Sequence, residues 1–199
     1  MARPRKDPAV PPTRDRVCDA ARGVFSRAGH ANATLGEIAR AVGITRPSLL
    51  HHFPTKDALY REVVATAFAE LGAALAAPLS AEGSYGERVE ALAGAFGGFV
   101  REHPEVARIV LRELLAEAGP GQAILLEQVA PLLDRVQAFV EREGRAYLAP
   151  GVGARAALMA VVSEALLRSA SGPLRPALWG DAPADLTRGL TRALLWRTP

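Results

Sequence analysis

Apolar residues return along most of this chain every three or four positions, the period of a helix with one buried face. Between Thr13 and Ala28 the set is Val17, Ala21, Val24, Phe25 and Ala28, and Gly29 supplies a stop. A second set, Leu35, Ile38, Ala39 and Val42, starts behind Thr34 and Glu37. Those two residues have capping-box spacing, in which each side chain satisfies an orphan amide of the first turn. Gly43 breaks this helix. Thr45 caps a short one after it, Pro47 is tolerated in its first turn, and Leu49 and Phe53 carry its apolar face inward. Pro54 stops that helix, Thr55 caps another, and Leu59 with Val63 begins its buried side.

Beyond about residue 75 the helices lengthen. Tyr85, Val89, Leu92, Phe96, Phe99 and Val100 keep a helical period up to His103-Pro104. Val106, Val110 and Leu114 continue in a short helix that ends near Gly119-Pro120-Gly121. Leu125, Val129, Leu132, Val136 and Val140 mark a long helix to about Gly144. A small-residue segment from Ala154 to Ala170 follows, then a Pro-rich loop from Ser171 to Pro183. Leu186, Leu190, Ala193 and Leu194 define a last amphipathic helix, and no internal repeat is visible. The expected fold class is all-α. Hydrophobic residues make up 49% of the chain but aromatics only 6%, and strands would need more β-branched and aromatic runs.

A chain of 199 residues is long enough for one sizeable core, or for a small domain joined to a larger one. No apolar run approaches the roughly 18 residues of a membrane span, so no membrane partner is expected. The N-terminus lacks the apolar stretch of a secretory signal. The single Cys18 cannot form an intramolecular disulfide, which fits a reducing compartment. The expected location is the cytoplasm.

Charge changes the picture once it is divided. The net +3 conceals 11 Lys/Arg against 5 Asp/Glu in residues 1–61, a surplus of +6, and 13 against 16 in residues 62–199, a deficit of −3. A basic first third on an acidic remainder suggests that a polyanion meets the first third only. Residues 1–12 carry four prolines and the cluster Arg3, Arg5, Lys6. They read as a disordered basic arm, either a minor-groove reader or a solubilising tail.

The segment from Thr34 to Lys56 has the parts of a helix-turn-helix: a small residue at the bend, an apolar lock and a polar outer face on the second helix. Gly43 is the bend, and Ile38, Val42, Ile44 and Leu49 are the lock. Thr45, Arg46, Ser48, His51 and His52 remain outside. Arg46 suits guanine O6 and N7, Thr45 and Ser48 suit a phosphate or a base edge, and Leu50 suits a thymine methyl. Lys56 opens the next helix, where its charge opposes the macrodipole unless a phosphate docks there. An ordinary helix pair with a solvated face is the bland alternative.

At these residues the chain resembles the tetracycline-repressor (TetR) family of transcriptional regulators. The matching features run from Val17 to Leu59: AARGVFSRAG, Thr34, Glu37-Ile38-Ala39, Val42-Gly43-Ile44, Leu49, His52-Phe53, Lys56 and Leu59. They cover about a quarter of the chain. The resemblance implies a homodimer of all-helical subunits, with a three-helix DNA-binding domain over residues 13–60 and a ligand-binding and dimerisation domain over 61–199. It also implies repression relieved by a small-molecule effector. Carried over by position, Thr34, Thr45, Arg46, Ser48, His51, His52 and Lys56 become the DNA-contacting set. One position departs: family members often have Tyr, whose hydroxyl binds phosphate, where this chain has Leu50.

In the larger domain the alanines between Ala154 and Ala170 permit close helix approach, and with Leu186–Leu194 they suit half of an intersubunit four-helix bundle. Phe96, Phe99, Ile109, Leu114, Leu133, Val136, Phe139 and Met159 are candidates to line an apolar cavity, although for any one of them a filled core is the favoured reading. His103, Arg112, Glu113 and Glu164 are the polar candidates to orient a ligand. Catalysis finds little: Cys18 reads as an inert thiol, and His51-His52 cannot both face one metal. No catalytic residue, metal or cofactor is expected. The expected function is a ligand-responsive repressor acting at a palindromic operator on double-stranded DNA. Its rivals are a ligand-independent architectural DNA-binding protein and, with less behind it, an enzyme using an interhelical cavity.

Overall fold

Eleven α-helices follow one another in the computed structural model, which describes residues 13–116, 119–183 and 185–197. The basic arm expected over residues 1–12 lies outside the described residues. Helix α1 spans Thr13–Asn32, α2 Leu35–Val42, α3 Arg46–His52, α4 Lys56–Ser80, α5 Tyr85–Glu102 and α6 Pro104–Leu115. A short α7, Pro120–Ile124, runs through a π-helical turn at Leu125–Val129 into α8, Ala130–Glu143. Then come α9, Ala154–Ala170, a 3-10 turn and short α10, Arg175–Trp179, and α11, Leu186–Leu195. No strand occurs among the described residues, so the fold is all-α.

The predicted stops and caps sit where the side chains require them. Gly29 takes φ 74° inside α1, a left-handed conformation that breaks the helix before its last turn. Thr34 and Glu37 form the capping box: the Thr34 hydroxyl accepts from the Glu37 amide, and Glu37 accepts from the Thr34 amide. Thr45, Thr55 and Ser84 cap α3, α4 and α5 through the amide three residues on. Two details were beyond the sequence pattern. The Pro-rich loop contains α10, and the long helix expected up to Gly144 is interrupted by the π turn.

Helix α4 is the spine. It packs against α1 and α5, and further along against α7 and α8. By length and apolar composition alone Lys56–Ser80 would suffice to cross a membrane, contrary to the expectation that no such stretch exists. Its Leu59, Val63, Val64, Ala67 and Leu71 are buried against neighbouring helices, so one face of this helix belongs to the core. Because α4 is continuous, the expected boundary between residues 60 and 61 falls inside one helix.

Candidate functional site

The head is assembled on α1. Val17, Ala21, Val24 and Phe25 of α1 are buried together with Ile38, Ala39, Leu49, Phe53 and Leu59 from the next three helices. Gly43 takes φ 75° and turns the chain, and its amide and that of Ile44 return to the carbonyls ending α2. Arg16 of α1 donates to the Val42 carbonyl at 2.8 Å, closing the same helix end. Arg14 lies over the Phe53 ring at 4.6 Å and pairs with Glu62 at 2.7 Å. These contacts fix α3 against α1 from both ends.

With Leu49 and Phe53 buried, the rest of α3 is turned out. Arg46, Ser48 and His51 are exposed, as is Thr45, and Leu50 and His52 are half-buried. Arg46 makes no hydrogen bond or ion pair among the described residues, leaving its guanidinium fork available. Thr34 and Thr45 are exposed, yet both hydroxyls already serve as helix caps.

Lys56 is placed differently from its expected role. Its Nζ donates to the carbonyls of Ala31 and Ala33, each at 3.1 Å, at the end of α1. The cation therefore meets the negative end of α1, where it stabilises the helix terminus, rather than standing free over the N-terminus of α4. His30 beside it pairs with Asp57 at 2.9 Å.

The second feature is a cavity of about 370 Å³, partly open to solvent, lined by α4, α5, α6, the π turn, α8, α9 and α11. Six of the eight apolar residues expected at its wall are there: Phe96, Phe99, Leu114, Leu133, Val136 and Met159. Ile109 and Phe139 are not. Ile109 lies in the closed core, and Phe139 packs on the Tyr85 ring and beneath the Arg88 guanidinium at 4.4 Å.

None of the four expected polar residues reaches this cavity. His103 packs on Phe99 and faces Glu105 at 3.4 Å. Arg112 donates to the Arg27 carbonyl of α1 at 2.9 Å. Glu113 is buried and accepts from the Tyr60 hydroxyl of α4. Glu164 turns toward α11 and pairs with Arg168 at 2.9 Å. Helix rotation explains the difference: the face of α6 that carries Val106, Val110 and Leu114 looks into the cavity, so Arg112 and Glu113 look toward α1 and α4.

The polar groups that do border the cavity are Arg155, Ser163 and Thr191. Thr191 already donates to the Thr187 carbonyl. Arg155 binds Asp134 through Nη2 at 2.6 Å, while its Nη1 is buried without a hydrogen-bond partner among the described residues. Sequence reasoning missed Arg155 because it sits among the small residues opening α9, with no pattern around it.

Cys18 stands apart from both features. It is half-buried, and burial, with Glu62 next in effect, pushes its thiol up to about 11. A thiol so shifted is a poor nucleophile near neutral pH. Among the described residues no group of three His, Cys, Asp or Glu side chains is placed to hold a metal ion.

Comparison with known proteins bears on the head first. Residues 17–63 match the family described as bacterial regulatory proteins, tetR family. The HTH-type transcriptional regulator AcrR of Shigella flexneri is 41% identical over 63 residues, which are 32% of this chain and 29% of AcrR. The negative transcriptional regulator IcaR of the biofilm operon icaADBC of Staphylococcus aureus (strain Newman) is 36% identical over 55 residues, 28% of this chain and 30% of IcaR. The match thus spans under a third of either relative. Over nearly the whole length, the fold resembles FadR from Bacillus subtilis, solved in complex with stearoyl-CoA. The TM-score is 0.72, the identity 12%, and the coverage 91% of this chain and 97% of that one. The helix-turn-helix geometry and the match fall on the same residues: through residues 17–63, about a quarter of its length, the chain is similar to the tetR family of bacterial regulatory proteins.

Proposed function

We propose that this chain is a cytoplasmic, homodimeric, sequence-specific DNA-binding regulator that represses from a palindromic operator and is released by a small-molecule effector. The outward face of α3 carries the proposal: Arg46, Ser48 and His51 stand exposed on a short helix whose other face is locked to α1. That is the arrangement by which a recognition helix enters the major groove. Arg46 reads a base edge, and Thr45, Ser48, His51 and His52 contact base edges or phosphates. Leu50 supplies an apolar contact. Thr34 presents the capped N-terminus of α2 to the backbone, and Lys56 fixes the end of α1 beside it. The divisions that follow are the arm at residues 1–12, the head at 13–60 and the effector and dimerisation part at 61–199.

The effector occupies the cavity between α4, α6, α8 and α9. Its apolar wall and the buried Nη1 of Arg155, without a hydrogen-bond partner among the described residues, suit an elongated apolar molecule with an anionic end. A 370 Å³ cavity is unlike the solid core of a purely architectural protein. Helix α6 relays occupancy to the head. Its cavity face bears Val110 and Leu114, while its other side is tied to α1 through Arg112 and the Arg27 carbonyl, and to α4 through Glu113 and Tyr60. Dimerisation uses the outer side of α9, where Leu167 is exposed beside the paired α11.

Selection of bound fragments from sheared genomic DNA, followed by footprinting, tests the proposal. A protected site with dyad symmetry and half-sites about one helical turn apart is expected. Protection without a dyad overturns the palindromic dimer. Thermal shift with stearate as probe tests the cavity: wild-type protein is stabilised and Val136→Phe, which fills the wall, is not.

A further inference from the structure

The acidic two-thirds of the chain hides a second basic feature. Arg101, Arg108, Arg168, Arg175 and Arg188 border one recess of about 480 Å³ between α5, α6, α9, α10 and the start of α11. Asp185 is the one carboxylate bordering it among the described residues. This recess lies on the opposite side of α5 and α9 from the apolar cavity, and the two share only Ala93 and Val100 as wall.

The arginines are not equally engaged. Arg168 is fixed by Glu164 at 2.9 Å, the Pro183 carbonyl and the Thr187 hydroxyl, so it forms a rigid, largely compensated wall. Arg108 is steadied through Nε by the Ala170 carbonyl at 3.4 Å. Arg101 and Arg175 make no hydrogen bond or ion pair among the described residues, and Arg188 feels Glu90 only through space. Gly94 and Gly97 line the floor, and a Cβ on Gly94 would lie 2.7 Å from the Arg188 guanidinium. The absence of a side chain there lets that cation lie close over α5.

Several cations around one concave space repel each other, and the repulsion is relieved when a multiply charged anion enters. Guanidinium forks match phosphoryl oxygens in bidentate geometry, and a recess of this size excludes a DNA duplex. We infer that this recess binds a small molecule carrying two or more phosphoryl groups. The inference is independent of the DNA-reading head, because no residue of α2 or α3 contributes to the site.

Calorimetric titration of the full chain with tripolyphosphate at fixed ionic strength tests it. Wild-type protein and Arg46→Gln should bind alike. The double variant Arg101→Gln, Arg175→Gln should bind at least about tenfold more weakly with its melting temperature unchanged, since both side chains are exposed. Loss of binding in Arg46→Gln would move the anion to the head and overturn the inference. So would equal binding by the double variant, or no greater affinity for tripolyphosphate than for sulfate. Comparing ADP with pyrophosphate separates the sources: tighter ADP binding upholds the site with a nucleotide ligand, and tighter pyrophosphate binding upholds it with free polyphosphate.

Discussion

The Tyr60 hydroxyl donates to the Glu113 carboxylate, joining α4 to α6 at a point where both side chains are buried. Among the described residues the other carboxylate oxygen, Oε2, has no hydrogen-bond partner, so Tyr60 is the donor on which this buried charge depends there. Gly119 and Gly121 pass close by, and a Cβ at Gly119 would lie 2.8 Å from Oε2. The same two helices border the apolar cavity through Phe68 and Leu71 on one and Val110 and Leu114 on the other.

Replacing Tyr60 by Phe should therefore lower stability by about 2–3 kcal/mol, because the partner left behind is a buried, unpaired carboxylate. Glu113→Gln keeps an acceptor for the Tyr60 hydroxyl and removes the charge, so it should cost about 1 kcal/mol. Urea denaturation of the two single variants and the double variant measures the coupling. If Glu113→Gln proves the more damaging, the pair is held by the charge and not by the hydrogen bond.

High pH should weaken the fold through two tyrosines. Burial, reinforced by Glu113, holds the Tyr60 hydroxyl well above its ordinary value near 10, and burial with Glu143 pushes Tyr85 up to about 12. Unfolded chains release these protons from about pH 10 upward while the folded protein retains them. Stability is thus intact below pH 10 and falls as pH rises beyond it, by up to about 1.4 kcal/mol per pH unit for each group. Denaturation at pH 9, 10 and 11 reads the slope, which Tyr85→Phe should reduce.

Arg46 and Lys56 should separate cleanly. Arg46→Ala is expected to leave stability within about 0.5 kcal/mol of wild type and to cost about 1–3 kcal/mol in binding a selected DNA site. Lys56→Ala should lower the melting temperature, by about 1 kcal/mol in stability, because the carbonyls of Ala31 and Ala33 lose their donor. Thermal melts and fluorescence anisotropy on one operator distinguish them. Equal melting temperatures for Lys56→Ala and wild type would return Lys56 to the role of a free phosphate anchor.

The Cys18 thiol, raised to about 11, should react slowly with an aromatic disulfide reagent at pH 8 and rapidly once urea unfolds the chain. A fast reaction in the folded state would show the thiol to be accessible and ionised.

Glycine positions give a last stability test. A Cβ at Gly144 would fall on the Tyr85 ring, and one at Gly86 on the Trp196 ring. Gly144→Ala and Gly86→Ala should each cost about 1–3 kcal/mol through overpacking. Gly153→Ala, with open space at its Cβ, should cost little by the same urea assay.

Much of the head was legible because its determinants are local. The Thr34–Glu37 capping box, the Gly43 turn and the inward Leu49 and Phe53 each depend on residues within a few positions of one another. The period of the larger helices likewise placed α5, α9 and α11 closely. Six of eight apolar candidates reached the cavity wall, since a helical stripe already states which residues face a neighbour. It does not state which neighbour.

Local order, capping and amphipathic faces were thus determined by the sequence itself, because they arise from near neighbours along the chain. The rotation of α6 that sends Glu113 to Tyr60, the meeting of the Lys56 ammonium with the end of α1, and the buried Nη1 of Arg155 are long-range. Only the packed structure decided them. Charge shows the same division. Counted along the chain, residues 62–199 are acidic on average, yet packing brings Arg101, Arg108, Arg168, Arg175 and Arg188 to one recess. An electrostatic field depends on distance through space, and a count along the chain cannot contain it.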